Sequence, residues 1–244
     1  MTGTTPRGAV SEQEASRWVR GMFGRIAGRY DLLNHVLSFN LDRSWRRRTV
    51  RRVREKMLEP GARVLDLCCG TADLLLSLRR SAPKVEILGS DFCHPMLVEA
   101  QRKTRALGIG SPFFEADALT LPLRDESFDL ITIAFGFRNL ANYRHGLEEL
   151  RRVLKPGGVL AILEFSKPPN RAFAAVYGFF AGRVLPRVGG WVSGSPDAYS
   201  YLPESIAKFP GAAELGDEIR GAGFLGVEFE RMTGGAVALH VAKR

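Results

Sequence analysis

A chain of 244 residues with 45% apolar residues buries a large core without help from disulfides; its three cysteines, two of them adjacent and none in a C-x-x-C spacing, read as reduced small residues of a cytosolic protein. The net charge of +9 is the one compositional hint of an anionic partner. The longest apolar stretch, Ala172 to Gly182, falls far short of the ~20 residues that span a bilayer, and Met1 to Val10 lacks a signal-peptide core, so the expected protein is soluble or at most peripheral.

In chain order, a disordered tail to about Val10 precedes a helical cap over residues 11–60, with helical patterns at Glu12 to Arg25 and Ser44 to Met57. Along the second, Arg43, Arg46, Arg47, Arg48, Arg51, Arg52 and Arg54 surround an apolar stripe of Trp45, Val50, Val53 and Met57. That arrangement is expected of a solvated face first, a membrane-surface patch second and a nucleic-acid site third. Strands at Arg63 to Leu67, Val85 to Ser90, Pro112 to Ala116, Asp129 to Ala134 and Gly158 to Phe165 alternate with helices at Asp73 to Arg80, Pro95 to Leu107 and Tyr143 to Leu154. Lys155-Pro156-Gly157-Gly158 is a helix stop followed by a tight turn. An insertion from Ser166 to Gly211 carries Phe173, Val176, Tyr177, Phe180 and Val184 at helical spacing, with Ala174, Ala175 and Phe179 on the other side. Two apolar faces suit a helix that meets the core on one side and a greasy ligand or a membrane on the other, or one that is simply buried. Val227 to Arg231 and Ala236 to Ala242 close the chain as an antiparallel pair around Thr233-Gly234-Gly235. The alternation predicts a single α/β domain over residues 11–244, doubly wound, with a mostly parallel sheet of seven strands.

The most informative segment is Arg63 to Ala72, RVLDLCCGTA. A short apolar strand runs into a carboxylate, Asp66, then a small-residue loop, then a helix, which is how a fold brings a nucleotide-like ligand against its backbone. Of a G-x-G-x-x-G dinucleotide fingerprint only Gly70 is kept, and Asp66 would repel a diphosphate but welcome an ammonium. S-adenosylmethionine has that ammonium and no phosphate. Asp91 ends the next apolar run about 20 residues on, where an acid takes a ribose hydroxyl pair. Asp117 ends a third. Each alone is readable as a turn or helix cap; three in succession describe a nucleoside pocket. Cys93-His94 lacks the second spaced pair of ligands that a zinc site needs, so no metal is expected.

Several longer motifs match a known family. YDLLNHVLSFNLDRSW (Tyr30 to Trp45) resembles the N-terminal signature of the UbiE/MenG-type ubiquinone and menaquinone methyltransferases, and RVLKPGGVLAILEFS (Arg152 to Ser166) resembles their second. FGFRN (Phe135 to Asn139), Lys167-Pro168, DAYSYLPESI (Asp197 to Ile206) and GGAVALH (Gly234 to His240) are also similar, so the match runs from about Phe23 almost to the end. KPGG is shared by many methyltransferases; FGFRN and the N-terminal signature are far more specific. The resemblance implies a class I, Rossmann-like methyltransferase fold that uses S-adenosylmethionine to methylate a ring carbon of a polyprenylated quinol. The expected substrate is a demethylmenaquinol, with a ubiquinone-type benzoquinol as the alternative. Implied cofactor contacts are Thr71, Asp91, Asp117 and Ala118. A serine of the pattern is Ala134 here, Cys69 and Ala72 stand where glycine is frequent, and Leu33 and Asp42 replace a methionine and a histidine, so no role passes to Asp42. The implied setting is the cytoplasm, with peripheral contact at the inner membrane face, and a homodimer is allowed.

Methyl transfer from a sulfonium needs alignment and a deprotonated quinol, and neither a metal nor a covalent nucleophile. Arg138, after the fourth strand, is the first candidate to stabilise the phenolate, by charge; Tyr199 and His240 are candidates by hydrogen bonding or proton transfer. The plainer alternatives are a structural ion pair for Arg138 and a satisfied core histidine for His240. A nucleic-acid methyltransferase would explain the arginines, yet Ala134-Phe135-Gly136-Phe137 stands where its substrate motif belongs, and a non-catalytic cofactor-binding module has no use for FGFRN and DAYSY together.

Overall fold

The computed structural model describes residues 3–6, 8–179 and 196–244. Its centre is a seven-stranded sheet in the order β3-β2-β1-β4-β5-β7-β6. Strands β1 (Arg63–Leu67), β2 (Glu86–Asp91), β3 (Phe113–Glu115), β4 (Phe128–Ala134) and β5 (Leu154–Phe165) pair in parallel, while β7 (Val237–Lys243) runs antiparallel between β5 and β6 (Leu225–Met232). Because β1 to β5 are covered on both faces, they read as continuous apolar runs. Leu65, Ile131 and Leu160 pack under α6 (Tyr143–Val153), and Val64, Leu130 and Ala161 pack under α3 (Leu41–Met57) and α4 (Asp73–Ser81). The sheet's order reverses between β1 and β4, and the carboxyl ends of these two strands form the crevice where open α/β sheets bind ligands.

Three local differences from the sequence reading have physical causes. Lys155 to Gly158 does not precede β5 but bulges within it: the pairing jumps from Phe128↔Leu154 to Leu130↔Val159, with Gly157 at φ +73. In the cap, α1 (Glu12–Ile26) is followed by an unpredicted helix α2 (Tyr30–Leu37), and α3 begins at Leu41. Two consecutive left-handed residues, Phe39 and Asn40, make the corner between α2 and α3, which no glycine advertised. Gly3 and Thr4, expected in a disordered tail, are instead tied down, donating their backbone N–H groups to Ala141 and Leu140 at 3.1 and 2.8 Å. A Cβ at Gly3 would lie 2.2 Å from the Ala141 backbone, so only glycine permits that approach.

Helices α5 (His94–Ala106), α7 (Arg171–Phe179), α8 (Pro196–Lys208) and α9 (Ala212–Gly221) complete the described residues. Of the predicted insertion stripe, Phe173 sits over Gly234, where a Cβ would meet its ring at 2.7 Å; Phe180, Val184 and the side chains of Val176, Tyr177 and Phe179 lie outside the described residues.

The loops after β1 and β4 touch at one point. A Cβ on Gly136 would lie 2.3 Å from the Cβ of Cys68, itself at φ +53. Gly136→Ala is therefore expected to destabilise the protein by roughly 1–3 kcal/mol, the range for overpacking. Cys68→Gly removes the colliding atom and relaxes the left-handed backbone, so the double variant should recover most of the loss in urea midpoint.

Candidate active site

Asp66, second to last in β1, is 1% exposed; its Oδ1 accepts a hydrogen bond from the Thr132 hydroxyl at 2.7 Å, and its Oδ2 has no partner among the described residues. Burial pushes its carboxyl up to about 7. Asp91, at the end of β2, accepts from the backbone N–H groups of Gly70 and Cys93, both at 2.9 Å, which orients both its oxygens without exhausting their accepting capacity. Burial outweighs those bonds and lifts its carboxyl to about 6. Gly70 reaches Asp91 from a left-handed conformation, φ +53, and Ala72, which donates its backbone N–H to Cys69 O at 2.8 Å, is also left-handed at φ +69 despite its Cβ. Burial also raises the Cys68 and Cys69 thiols well above their ordinary value, keeping this loop uncharged. Asp117 is exposed and caps its own turn through Leu119 N–H at 2.9 Å, and Ala118 beside it is buried.

Three spaces converge here. One is lined by Gly70, Asp91, Asp117, Ala118, Gly136 and Asn139. A second, small and polar, is lined by Arg46, Asp66, Thr71 and Asp73. The third is an apolar cavity of about 240 Å³ between cap and sheet, lined by Leu33, Leu37, Trp45, Phe135, Phe165 and Tyr201, with Arg138 in its wall. Tyr30 lines all three. Its phenol is raised by burial, against the opposing pull of a hydrogen bond with Asn34 and the charges of Arg138 and Arg46.

Charge fixes the cap to the loop. Thr71 donates its hydroxyl to Asp31 of α2, and Lys103 of α5 donates to Asp31 at 2.6 Å while also pairing with Asp73. Arg46 pairs with Asp42 one turn earlier in α3, and its other nitrogen stands 3.5 Å from Asp73. Asp42 also accepts from Ser38 and meets His35 Nδ1, each at 2.8 Å. Burial opposes ionisation of Asp42 and Asp73, yet Arg46 and its neighbours prevail and hold both carboxyls below the usual range. This corrects the reading of the α3 arginines as one solvated face: Arg46 is only 7% exposed, whereas Arg43, Arg47, Arg48, Arg51, Arg52 and Arg54 face solvent. Asp42, given no role from sequence, is the anchor of that buried cation.

Arg138 is 5% exposed and forms an ion pair with Glu164, at the end of β5, at 2.9 Å. Its Nη1 also donates to Phe135 O at 2.6 Å, and its Nε has no partner among the described residues. Burial works against its charge, but Glu164 more than compensates and keeps it protonated. Beside it the Thr4 hydroxyl meets Tyr201 at 2.7 Å, and Tyr201 donates to Asn139 at 2.9 Å. Tyr199 lies near the start of α8, and its side chain is outside the described residues. His240 is in β7, 2% exposed, its Nε2 donating to Ala212 O at 2.7 Å and its ring packed on Phe229; it lines none of the three spaces. Burial lowers its pKa, so it stays neutral. The structure thus brings together Asp66, Gly70, Thr71, Asp91, Asp117, Ala118 and Arg138, and leaves His240 in the core. Sequence reasoning missed Tyr30, Arg46, Asn139, Tyr201 and Glu164. Glu164 had a usable signal, an acid closing an apolar strand as Asp66 does, and Tyr30, Asn139 and Tyr201 stood within the family motifs without a role being assigned to them.

A buried carboxyl raised to about 7 in the fold and ordinary when unfolded costs nothing below about pH 4. Its penalty grows as pH climbs to about 7 and is constant above. Asp66→Asn should remove that slope, so that the unliganded variant melts at a temperature increasingly above wild type between about pH 4 and 7. Differential scanning calorimetry across that window checks it; a constant offset would contradict it.

Comparison with known proteins agrees with this geometry. Residues 9–244 match the model of the ubiE/COQ5 methyltransferase family. The chain is 51% identical over 223 residues to a demethylmenaquinone methyltransferase of Thermus thermophilus, covering 91% of this chain and 100% of that protein. It is 46% identical over 224 residues to the demethylmenaquinone methyltransferase of Deinococcus radiodurans, covering 92% of each. A SAM-dependent methyltransferase structure from Thermotoga maritima superposes with a TM-score of 0.64 at 20% identity, over 91% of this chain and 98% of that one, which speaks for the fold alone. The chain belongs to the ubiE/COQ5 methyltransferase family.

Proposed function

We propose that this protein transfers a methyl group from S-adenosylmethionine to a ring carbon of a polyprenylated demethylmenaquinol. The observation that carries the reading is the junction at Tyr30 and Phe135, where an apolar cavity of about 240 Å³ meets a crevice lined by Asp91 and Asp117 in a chain so similar to demethylmenaquinone methyltransferases. The crevice fits the cofactor group by group. The unpartnered Oδ2 of Asp66 suits an ammonium; the Arg46 guanidinium suits a carboxylate; Asp91 suits ribose hydroxyls; Asp117 and Ala118 suit the edge of an adenine. When bound, S-adenosylmethionine supplies an activated methyl group on a sulfonium.

The remaining work falls to the chain. Leu33, Leu37, Trp45 and Phe165 hold a quinol ring and the start of its tail away from water, which strengthens every charge interaction there. Arg138, held protonated by Glu164, stabilises the phenolate that makes the ring carbon nucleophilic. Of its five N–H donors only those on Nη1 are spent, on Phe135 O and Glu164, so donors remain for that task. Tyr201 and Asn139, joined by a hydrogen bond, orient the ring oxygens.

Purified protein should convert a short-tail demethylmenaquinol to the menaquinol, read by mass spectrometry. Asp91→Ala should weaken S-adenosylmethionine binding at least tenfold by calorimetry, since each hydroxyl-to-carboxylate bond is worth ~1.5–3 kcal/mol. Arg138→Lys keeps the charge but not the planar fork, and should lower turnover with cofactor affinity nearly unchanged. Arg138→Ala strands Glu164 in the interior at a cost of roughly 3–5 kcal/mol, so it is measured beside Arg138→Ala/Glu164→Gln. Wild-type turnover in a folded double variant at saturating quinol would remove Arg138 from the chemistry and direct attention to Tyr30, Tyr199 and Tyr201.

A further inference from the structure

We propose that the corner between α2 and α3 docks the protein on an anionic lipid bilayer, an inference that rests on the polyprenylated substrate assigned above. Four large apolar side chains within ten residues face solvent there: Leu32 at 57%, Val36 at 45%, Phe39 at 72% and Leu41 at 41% exposure. Leu32 and Val36 stand one turn apart on α2, while Leu33 and Leu37, on its other face, line the apolar cavity. At this corner Phe39 and Asn40 are both left-handed, φ +52 and +59, a conformation that a bulky residue adopts at a cost. Phe39 and Leu41 also line the cavity, and an exposed lining residue marks its opening. Apolar surface outside the protein is therefore continuous with apolar surface within.

The charge beside this corner has the matching sign. Arg43, which donates its backbone N–H to Asn40, begins a stripe of Arg43, Arg47, Arg51 and Arg54 along one side of α3. None of the four has an ion-pair partner among the described residues, although Arg48 and Arg52 next to them are paired with Glu230 and Glu228. Unpaired arginines flanking projecting Leu, Val and Phe side chains suit a surface that is anionic at its headgroups and apolar beneath. A nucleic acid would satisfy the arginines but has no use for exposed Leu32 and Val36. Docked in this way, the protein passes a polyprenyl tail from bilayer to cavity without exposing it to water.

The test is flotation of the full chain with phosphatidylcholine vesicles, with and without phosphatidylglycerol. Wild type should float with the anionic vesicles and bind the zwitterionic ones far more weakly. Arg47→Gln/Arg51→Gln should lower the partition coefficient by roughly twenty-five-fold, about fivefold for each arginine near the surface. Leu32→Ser/Val36→Ser should lower it at least tenfold. Both variants should keep S-adenosylmethionine affinity and turnover of a water-soluble short-tail quinol, which separates docking from folding and from the chemistry. Undiminished flotation of either folded variant, equal binding to both vesicle types, or vesicles ignored while duplex DNA is retarded would each overturn the docking surface. Vesicles ignored with short-tail turnover intact would do so without touching the assigned reaction, whereas failure of all quinol turnover would strike the reaction itself.

Discussion

The approach of two loops at the switch point of the sheet governs this site. β1 and β4 are neighbours and parallel, and their carboxyl-end loops turn to opposite sides. Between them the backbone at Gly136 comes so close to Cys68 that no side chain fits. One residue earlier Phe135 is left-handed, φ +59, with its ring 5.0 Å from Phe165 and 5.8 Å from Trp45. The ring so placed lines both the crevice that holds Asp91 and Asp117 and the apolar cavity. A looser pair of loops would merge the two spaces and admit water where charges must act undiluted.

The cap is added to that frame by electrostatics as much as by packing. Val19, Met22, Ile26 and Leu33 form a separate small apolar cluster with Tyr201, apart from the two clusters flanking the sheet. What registers the cap on the loop is the set of bonds from Asp31 to Thr71 and Lys103, and from Arg46 to Asp42 and Asp73. Half-buried and fully buried ion pairs give modest net stability but are directional, and losing one partner strands the other. Such a latch suits a cap that must sit in one register over a ligand. His35, Asp42 and Asp73 offer ligand atoms within 4.8 Å of one another, but the guanidinium of Arg46 and the ammonium of Lys103 already bring positive charge among those groups.

The central sheet was legible in the sequence because period and punctuation agreed there. Apolar runs of strand length, each closed by Asp66, Asp91 or Ala134 and followed by a helical pattern, have one sensible assembly. The three acids were legible for the same reason, since a charge at the end of a buried strand lies at the ligand edge. What escaped notice depended on long-range partners. Arg46 looks like its six neighbours until Asp42 and Asp73 are seen around it; Gly3 and Thr4 look like a loose tail until they pair with Leu140 and Ala141. α2 was hidden because its start, Tyr30, follows a tight turn at Ala27–Arg29 in place of a capping side chain. His240 was a candidate by residue type, yet its place inside a strand pattern already pointed to a core histidine; the register of β7 between β5 and β6 adds its partner, Phe229.

In the proposed reaction the Arg138–Glu164 pair is the fixed charge beside the substrate. A guanidinium free in the apolar cavity would be costly to bury and free to swing; paired with Glu164 and held by Phe135 O, it is fixed before any substrate arrives. Pairing reduces its net field, which lessens the advantage of binding an already ionised quinol. It retains the advantage that matters for rate, because a fixed donor responds to charge that develops only as the ring becomes nucleophilic. Glu164 ends β5 as Asp66 ends β1 and Asp91 ends β2, so three buried carboxylates occupy equivalent edges of one sheet with different partners. Arg138 neutralises the first, the second keeps an oxygen unpartnered, and backbone N–H groups steady the third. On the proposed reading, the same position in the fold serves a cation of the protein at Glu164, a ligand's cation at Asp66 and a neutral hydroxyl pair at Asp91.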